Sequence, residues 1–118
     1  MPQLDLTILY VASIPDSAAF YARLLGHAPE EAAATFALFR TSSGAGIGLW
    51  RRDGVEPPPT GTPGTSELAF LTTDVDATHA EWLAAGVTIL QPPTEMDFGR
   101  CFTARDPDGH RLRVFRPG

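Results

Sequence analysis

The chain has 118 residues, 43% of them apolar, and carries a net charge of −5. That is one domain's length with enough apolar material for a core. The acidic balance disfavours nucleic-acid binding, which draws on a basic face, and leaves a neutral or cationic small partner easier to accept. No apolar run approaches the ~18 residues of a membrane span. The start, Met1-Pro2-Gln3-Leu4-Asp5, lacks the basic and apolar segments of a signal peptide. The lone cysteine, Cys101, excludes an intrachain disulfide and reads as a buried structural thiol. A reducing, cytoplasmic setting is expected, with no nucleic-acid and no membrane partner.

Leu4 to Val11 is apolar and rich in β-formers, a first strand. Ser13 or Asp16 can cap the helix that follows, with Pro15 tolerated in its first turn. Phe20 with Leu24 and Tyr21 with Leu25 give that helix an apolar face, and Gly26 ends it. Residues 35–40 and 45–50 read as strands around a Thr41-Ser42-Ser43-Gly44 turn. Residues 51–65 hold four prolines and three glycines and read as a stiff linker. Residues 66–73 are a strand. Asp74 or Asp76 caps a second helix over 77–85, ended by Gly86. Residues 87–90 are a strand and 91–99 a loop. Residues 100–115 form a hairpin about Asp106-Pro107-Asp108-Gly109-His110, where Pro107 sets one backbone angle and Gly109 permits a positive one.

The order of elements therefore repeats. Asp16 stands to Gly26 as Asp76 stands to Gly86, and Ser43-Gly44 answers Asp108-Gly109. This implies an α+β fold of two β-α-β-β-β modules, 1–50 and 66–118, with helices outside a curved, cup-shaped mixed sheet. A concave face at such a junction is where ligands bind.

Several stretches together resemble the vicinal oxygen chelate superfamily of glyoxalases, bleomycin-resistance proteins and extradiol dioxygenases. They are Leu6-Thr7-Ile8-Leu9-Tyr10-Val11, Phe20-Tyr21 with Leu24-Leu25-Gly26, Glu67-Leu68-Ala69-Phe70, Asp74-Val75-Asp76-Ala77, Ala84-Ala85-Gly86-Val87 and the Asp-Pro-Asp-Gly-His turn. The resemblance implies paired modules, a homodimer, and a site in the cup between modules. In the family's enzymes, side chains on the first, fourth, fifth and eighth strands hold a divalent metal. Here those positions fall on Leu6, Gly48, Glu67 and Arg113. A catalytic metal needs about three N, O or S ligands, and a guanidinium cannot be one. No metal, no cofactor and no catalytic residue is therefore expected, and the metal-free drug-binding branch is the nearer likeness.

Strand alternation predicts what faces the cup instead. The set is Leu6, Ile8 and Tyr10; Gly46, Gly48 and Trp50; Glu67, Ala69 and Leu71; and Arg111, Arg113 and Phe115. Hairpin register would set Phe102 opposite Arg113, and the repeat gives Phe39 the matching place. The two glycines would leave room, and Trp50 would offer a stacking platform. The function expected is binding or sequestration of a small aromatic compound, an antibiotic or metabolite. Three alternatives stand beside it. One is a glyoxalase-type lyase, isomerase or dioxygenase, including a metal-free enzyme with Glu67 as base. Another is a non-catalytic module with a filled cup. In the last, Glu67 and Arg113 pair only with each other and Trp50 is plain core or dimer interface. None of His27, His79 and His110 falls at a cup position. The first two read as surface residues, the third as a turn residue, and Trp82 as helix packing.

Overall fold

The computed structural model describes Met1, residues 3–61 and residues 66–118. Pro63 and Gly64 of the expected linker lie outside the described residues. The chain divides into two compact units, Met1–Gly61 and Thr62–Gly118. The fold is α+β, two β-α-β-β-β modules each with its own open, mixed four-stranded sheet.

In the first unit, β1 (Leu6–Val11) leads into α1 (Ile14–Leu25), then β2 (Glu31–Ala32), β3 (Phe36–Arg40) and β4 (Gly46–Arg51). The sheet order is β1-β4-β3-β2, with β1 parallel to β4 and the other pairs antiparallel. Ser13 caps α1: its hydroxyl accepts from the Asp16 amide, satisfying one of the helix's orphan donors. Gly26 ends the helix in the left-handed region that a side chain would strain. Leu9, Val11, Ala37, Phe39, Ile47 and Leu49 are buried and alternate with the residues of the opposite face. Phe39 meets Tyr21 of α1, ring centres 6.4 Å apart, which marks this as the helix side.

The second unit repeats the plan with β5 (Glu67–Leu71), α2 (Val75–Ala84), β6 (Thr88–Met96), β7 (Gly99–Arg105) and β8 (Arg111–Pro117), ordered β5-β8-β7-β6. Of the two candidate caps, Asp74 takes the role, accepting from the Ala77 amide. Asp76 is thereby left to receive Arg100 of β7 through two bonds of 2.9 and 2.8 Å, tying α2 to its sheet. Phe70 and Phe102 pack edge-on against Trp82 of α2.

The two tight turns are alike. The Thr41 amide donates to the Ala45 carbonyl and Gly44 to Thr41, just as Asp106 donates to His110 and Gly109 to Asp106. Gly44 and Gly109 have φ of 90° and 88°. The five-residue loop fixes the register of each hairpin, and it corrects one expectation. Phe102 pairs with Val114, and Arg113 lies opposite Thr103.

Two other strands differ from their sequence reading. β2 is a two-residue edge strand, too short to give a periodic signal. β6 runs on through Pro92 and Pro93, read above as loop, with register shifts between Ile89 and Thr94. It is an edge strand, where prolines are tolerated because one row of N–H groups needs no partner. Arg51, placed at the start of the linker, closes β4. A short 3-10 turn follows over Arg52–Gly54, and Val55 is buried.

Candidate functional site

Each sheet has one face under its helix and one turned away from it. Register puts Leu6 beside Gly46, Ile8 beside Gly48 and Tyr10 beside Trp50 on the away face of the first sheet. On that of the second, Glu67 pairs with Arg111, Ala69 with Arg113 and Leu71 with Phe115. These nearest-neighbour pairs are laid across parallel strands, so their side chains share a face. Phe39 and Phe102 do not join them. Both are fully buried on the helix sides, where Phe102 also meets His79 edge-on at 5.2 Å. The one-residue difference in register is the reason, since a slip of one turns a side chain to the other face.

In the first unit the glycines do not leave open space. A Cβ on Gly48 would come within 2.9 Å of the Phe36 ring and 3.2 Å of Leu6 Cδ1. One on Gly46 would come within 2.7 Å of Leu6 Cβ and 2.9 Å of Arg40 Nη1. The glycines thus admit the chain's own Leu6, Phe36 and Arg40. Phe36 is the residue sequence reasoning missed; the turn register, which sets it opposite Trp50, would have found it. Its ring stands edge-on to Trp50 at 6.3 Å. Trp50 remains half-buried, and Ile8 and Tyr10 are exposed by 42% and 37%, so an apolar strip stays available for contact.

In the second unit Glu67 and Arg113 form a two-pronged pair. Arg113 Nε donates to Glu67 Oε2 at 2.9 Å and Nη2 to Oε1 at 3.3 Å. The remaining guanidinium nitrogen stands 3.4 Å from Cys101 Sγ, itself 3.4 Å from Met96 Sδ. Cys101 is fully buried. The Arg113 hydrogen bond holds the Glu67 carboxyl below its ordinary value, against the opposing pull of burial, with the charges of Arg113 and Arg111 adding to the lowering. A carboxylate held this way is a weaker base, which disfavours Glu67 as a general base.

A folded-state value below the unfolded 4.5 means the pair's stabilisation is complete above that pH and fades as pH falls through the folded value. Both side chains are partly exposed, so the contribution is expected to be under about 1 kcal/mol. Urea midpoints of wild type and Glu67→Gln should differ slightly at neutral pH and converge as pH falls and the Glu67 carboxylate takes up its proton. A gap that widens in acid would contradict the pairing.

His110, read as a plain turn residue, is buried. Its backbone N–H donates to Asp106 Oδ1 at 2.8 Å, and its Nδ1 lies 2.6 Å from Ser66 Oγ. It fastens the hairpin turn to the start of β5. His27 is exposed and His79 half-buried. Among the described residues no three His, Cys, Asp or Glu side chains gather as a metal-holding group. None of the described helices is long and apolar enough to cross a membrane.

Residues 3–114 match the family model described as the Glyoxalase/Bleomycin resistance protein/Dioxygenase superfamily. The chain belongs to this superfamily. It is 31% identical over 117 residues to the phenazine antibiotic resistance protein EhpR of Enterobacter agglomerans, covering 93% of this chain and 88% of that one. A protein from Agrobacterium tumefaciens, solved by NMR in solution, is 49% identical, with a TM-score of 0.89 over 100% of this chain and 99% of its own. The virulence protein STM3117 from Salmonella typhimurium is 26% identical, with a TM-score of 0.79 over 100% of this chain and 98% of its own.

Proposed function

We propose that the protein binds and sequesters a small aromatic organic compound without a metal, as a resistance or metabolite-binding protein. The observation that carries this reading is the Glu67–Arg113 pair. Of the four positions where the family's enzymes hold a metal, Leu6 and Gly48 offer no donor atom. Arg113 is a fixed cation, and it engages the one carboxylate, Glu67. The likeness to a phenazine resistance protein supports a planar organic ligand. The half-buried Trp50, with Phe36 edge-on to it, supports aromatic contact on the first sheet. Leu6, Ile8, Tyr10, Glu67, Ala69, Arg113 and Phe115 complete the proposed ligand set, Gly48 being covered by Phe36 and Leu6. A homodimer of paired modules, as in the family, is the assembly proposed.

Titration with phenazine while following tryptophan emission tests the reading. Saturable quenching is expected in the wild type and should shrink sharply in Trp50→Ala, since Trp82 of α2 is buried against Phe70 and Phe102 of the second sheet. Metal content near one zinc, iron, nickel or manganese ion per chain after purification would overturn it.

A further inference from the structure

The away face of the second sheet is divided along its length. Five of the chain's nine basic residues, Arg100, Arg105, Arg111, Arg113 and Arg116, stand on β7 and β8. Arg100 and Arg116 are paired on the helix side, where Arg100 meets Asp76 and Glu95. The other three lie on the away face, Arg105 beside Arg111 and Arg111 beside Glu67, with Arg113 in the next row. Glu67 is the single carboxylate among the strand residues of that face. It is already bound by Arg113, and the exposed Arg111 lies across from it. Three guanidiniums against one carboxylate make this end locally cationic in a chain whose net charge is −5.

The other end is apolar. Phe115 and Leu71 are paired there, with Leu71 72% exposed. Phe98 stands edge-on to Phe115 at 6.4 Å, and Phe98 and Met96 are also exposed. Between the two ends sits Thr103, directly across from Arg113 and 2% exposed. Its hydroxyl has no hydrogen-bond partner among the described residues, an unfavourable state for a buried polar atom and one that a ligand's acceptor would relieve.

We infer that the ligand of this site is an organic anion, an aromatic carboxylate whose ring lies over Phe115, Phe98 and Leu71 and whose charged group is taken by Arg111, with the Thr103 hydroxyl donating to it. This deepens the proposed function and rests on it. The overall acidity of the chain points toward a neutral or cationic partner, and the local arrangement reverses that expectation. A charged group beside a low-dielectric wall responds to its near neighbours far more than to distant, screened ones. A guanidinium also matches a carboxylate in geometry, through two parallel N–H bonds.

Calorimetric titration of the full chain with phenazine-1-carboxylate and with its uncharged isostere, phenazine-1-carboxamide, tests the inference. The carboxylate is expected to bind about tenfold or more tightly, the effect of one charge-assisted hydrogen-bond pair. The preference should largely vanish in Arg111→Gln, an exposed change that leaves the fold intact, and should weaken in high salt. Thr103→Val, which keeps the shape and removes the unpartnered hydroxyl, should weaken carboxylate binding several-fold without lowering the unfolding midpoint of the free protein. Equal binding of the two probes, or a preference that survives Arg111→Gln, overturns the anionic ligand and leaves the aromatic-binding function standing. Binding of neither probe counts against both.

Discussion

Phe102→Ala is expected to lower the unfolding free energy by about 3–5 kcal/mol, the cost of emptying a fully buried phenylalanine site. The ring touches Trp82 at 5.3 Å and His79 at 5.2 Å, so its removal opens a cavity between α2 and the second sheet. Set against the 5–15 kcal/mol typical of a whole domain, this is a large fraction of the fold. Phe102→Leu keeps most of the volume and should cost less than about 1.5 kcal/mol. Urea unfolding followed by circular dichroism reads both. The measurement also separates two roles for this residue. A ligand-lining Phe102 would give weakened binding with nearly unchanged stability, whereas a residue packed under the helix gives the reverse.

The second large effect is expected at Asp106, the 1% exposed opening residue of the β7–β8 turn. Its Oδ1 accepts from the Asp108 amide at 2.9 Å and the His110 amide at 2.8 Å. Asp106→Ala leaves these backbone donors without that acceptor. Hydrogen bonds to a charged group contribute about 1.5–3 kcal/mol each, and the two share one oxygen, so a loss of about 3 kcal/mol is expected. Asp106→Asn retains an acceptor oxygen and should recover most of it. Thermal melts of the two variants provide the check, and Ala and Asn equally mild would show that the turn does not depend on this side chain. The effect should extend beyond the loop, because the same turn sets which face Arg113 occupies.

Much of the architecture is legible in local chemistry. Ser13 and Asp74 are good caps because their oxygens reach an amide three residues on. Gly26, Gly44, Gly86 and Gly109 mark places where the backbone has positive φ, between 80° and 90°. These signals are short-range, so they can be read in a line of residues, and their recurrence exposes the duplication. Alternation along each strand sets which residues share the face away from the helix: Leu6, Ile8, Tyr10 and Trp50 in the first sheet, and Glu67, Ala69, Arg113 and Phe115 in the second. Phe39 and Phe102 lie on the helix sides instead, because a single residue of hairpin register reverses a side chain. That register depends on hydrogen bonds within the turn rather than on hydrophobic pattern. β6 runs past Pro92-Pro93 because that pair breaks a central strand but not an edge one, and edge or centre is a matter of sheet order.

The residue types along this chain, taken alone, specify the candidate caps, the turns and the repeat. Folding in three dimensions added what no local rule contains. It closed Phe36 and Leu6 over the two glycines, bound Glu67 to Arg113 from strands 46 positions apart in sequence, and left the Thr103 hydroxyl buried without a partner among the described residues. The reason is that propensity and capping act over a few residues, whereas packing and ion pairing depend on which distant side chains the sheet register brings within reach.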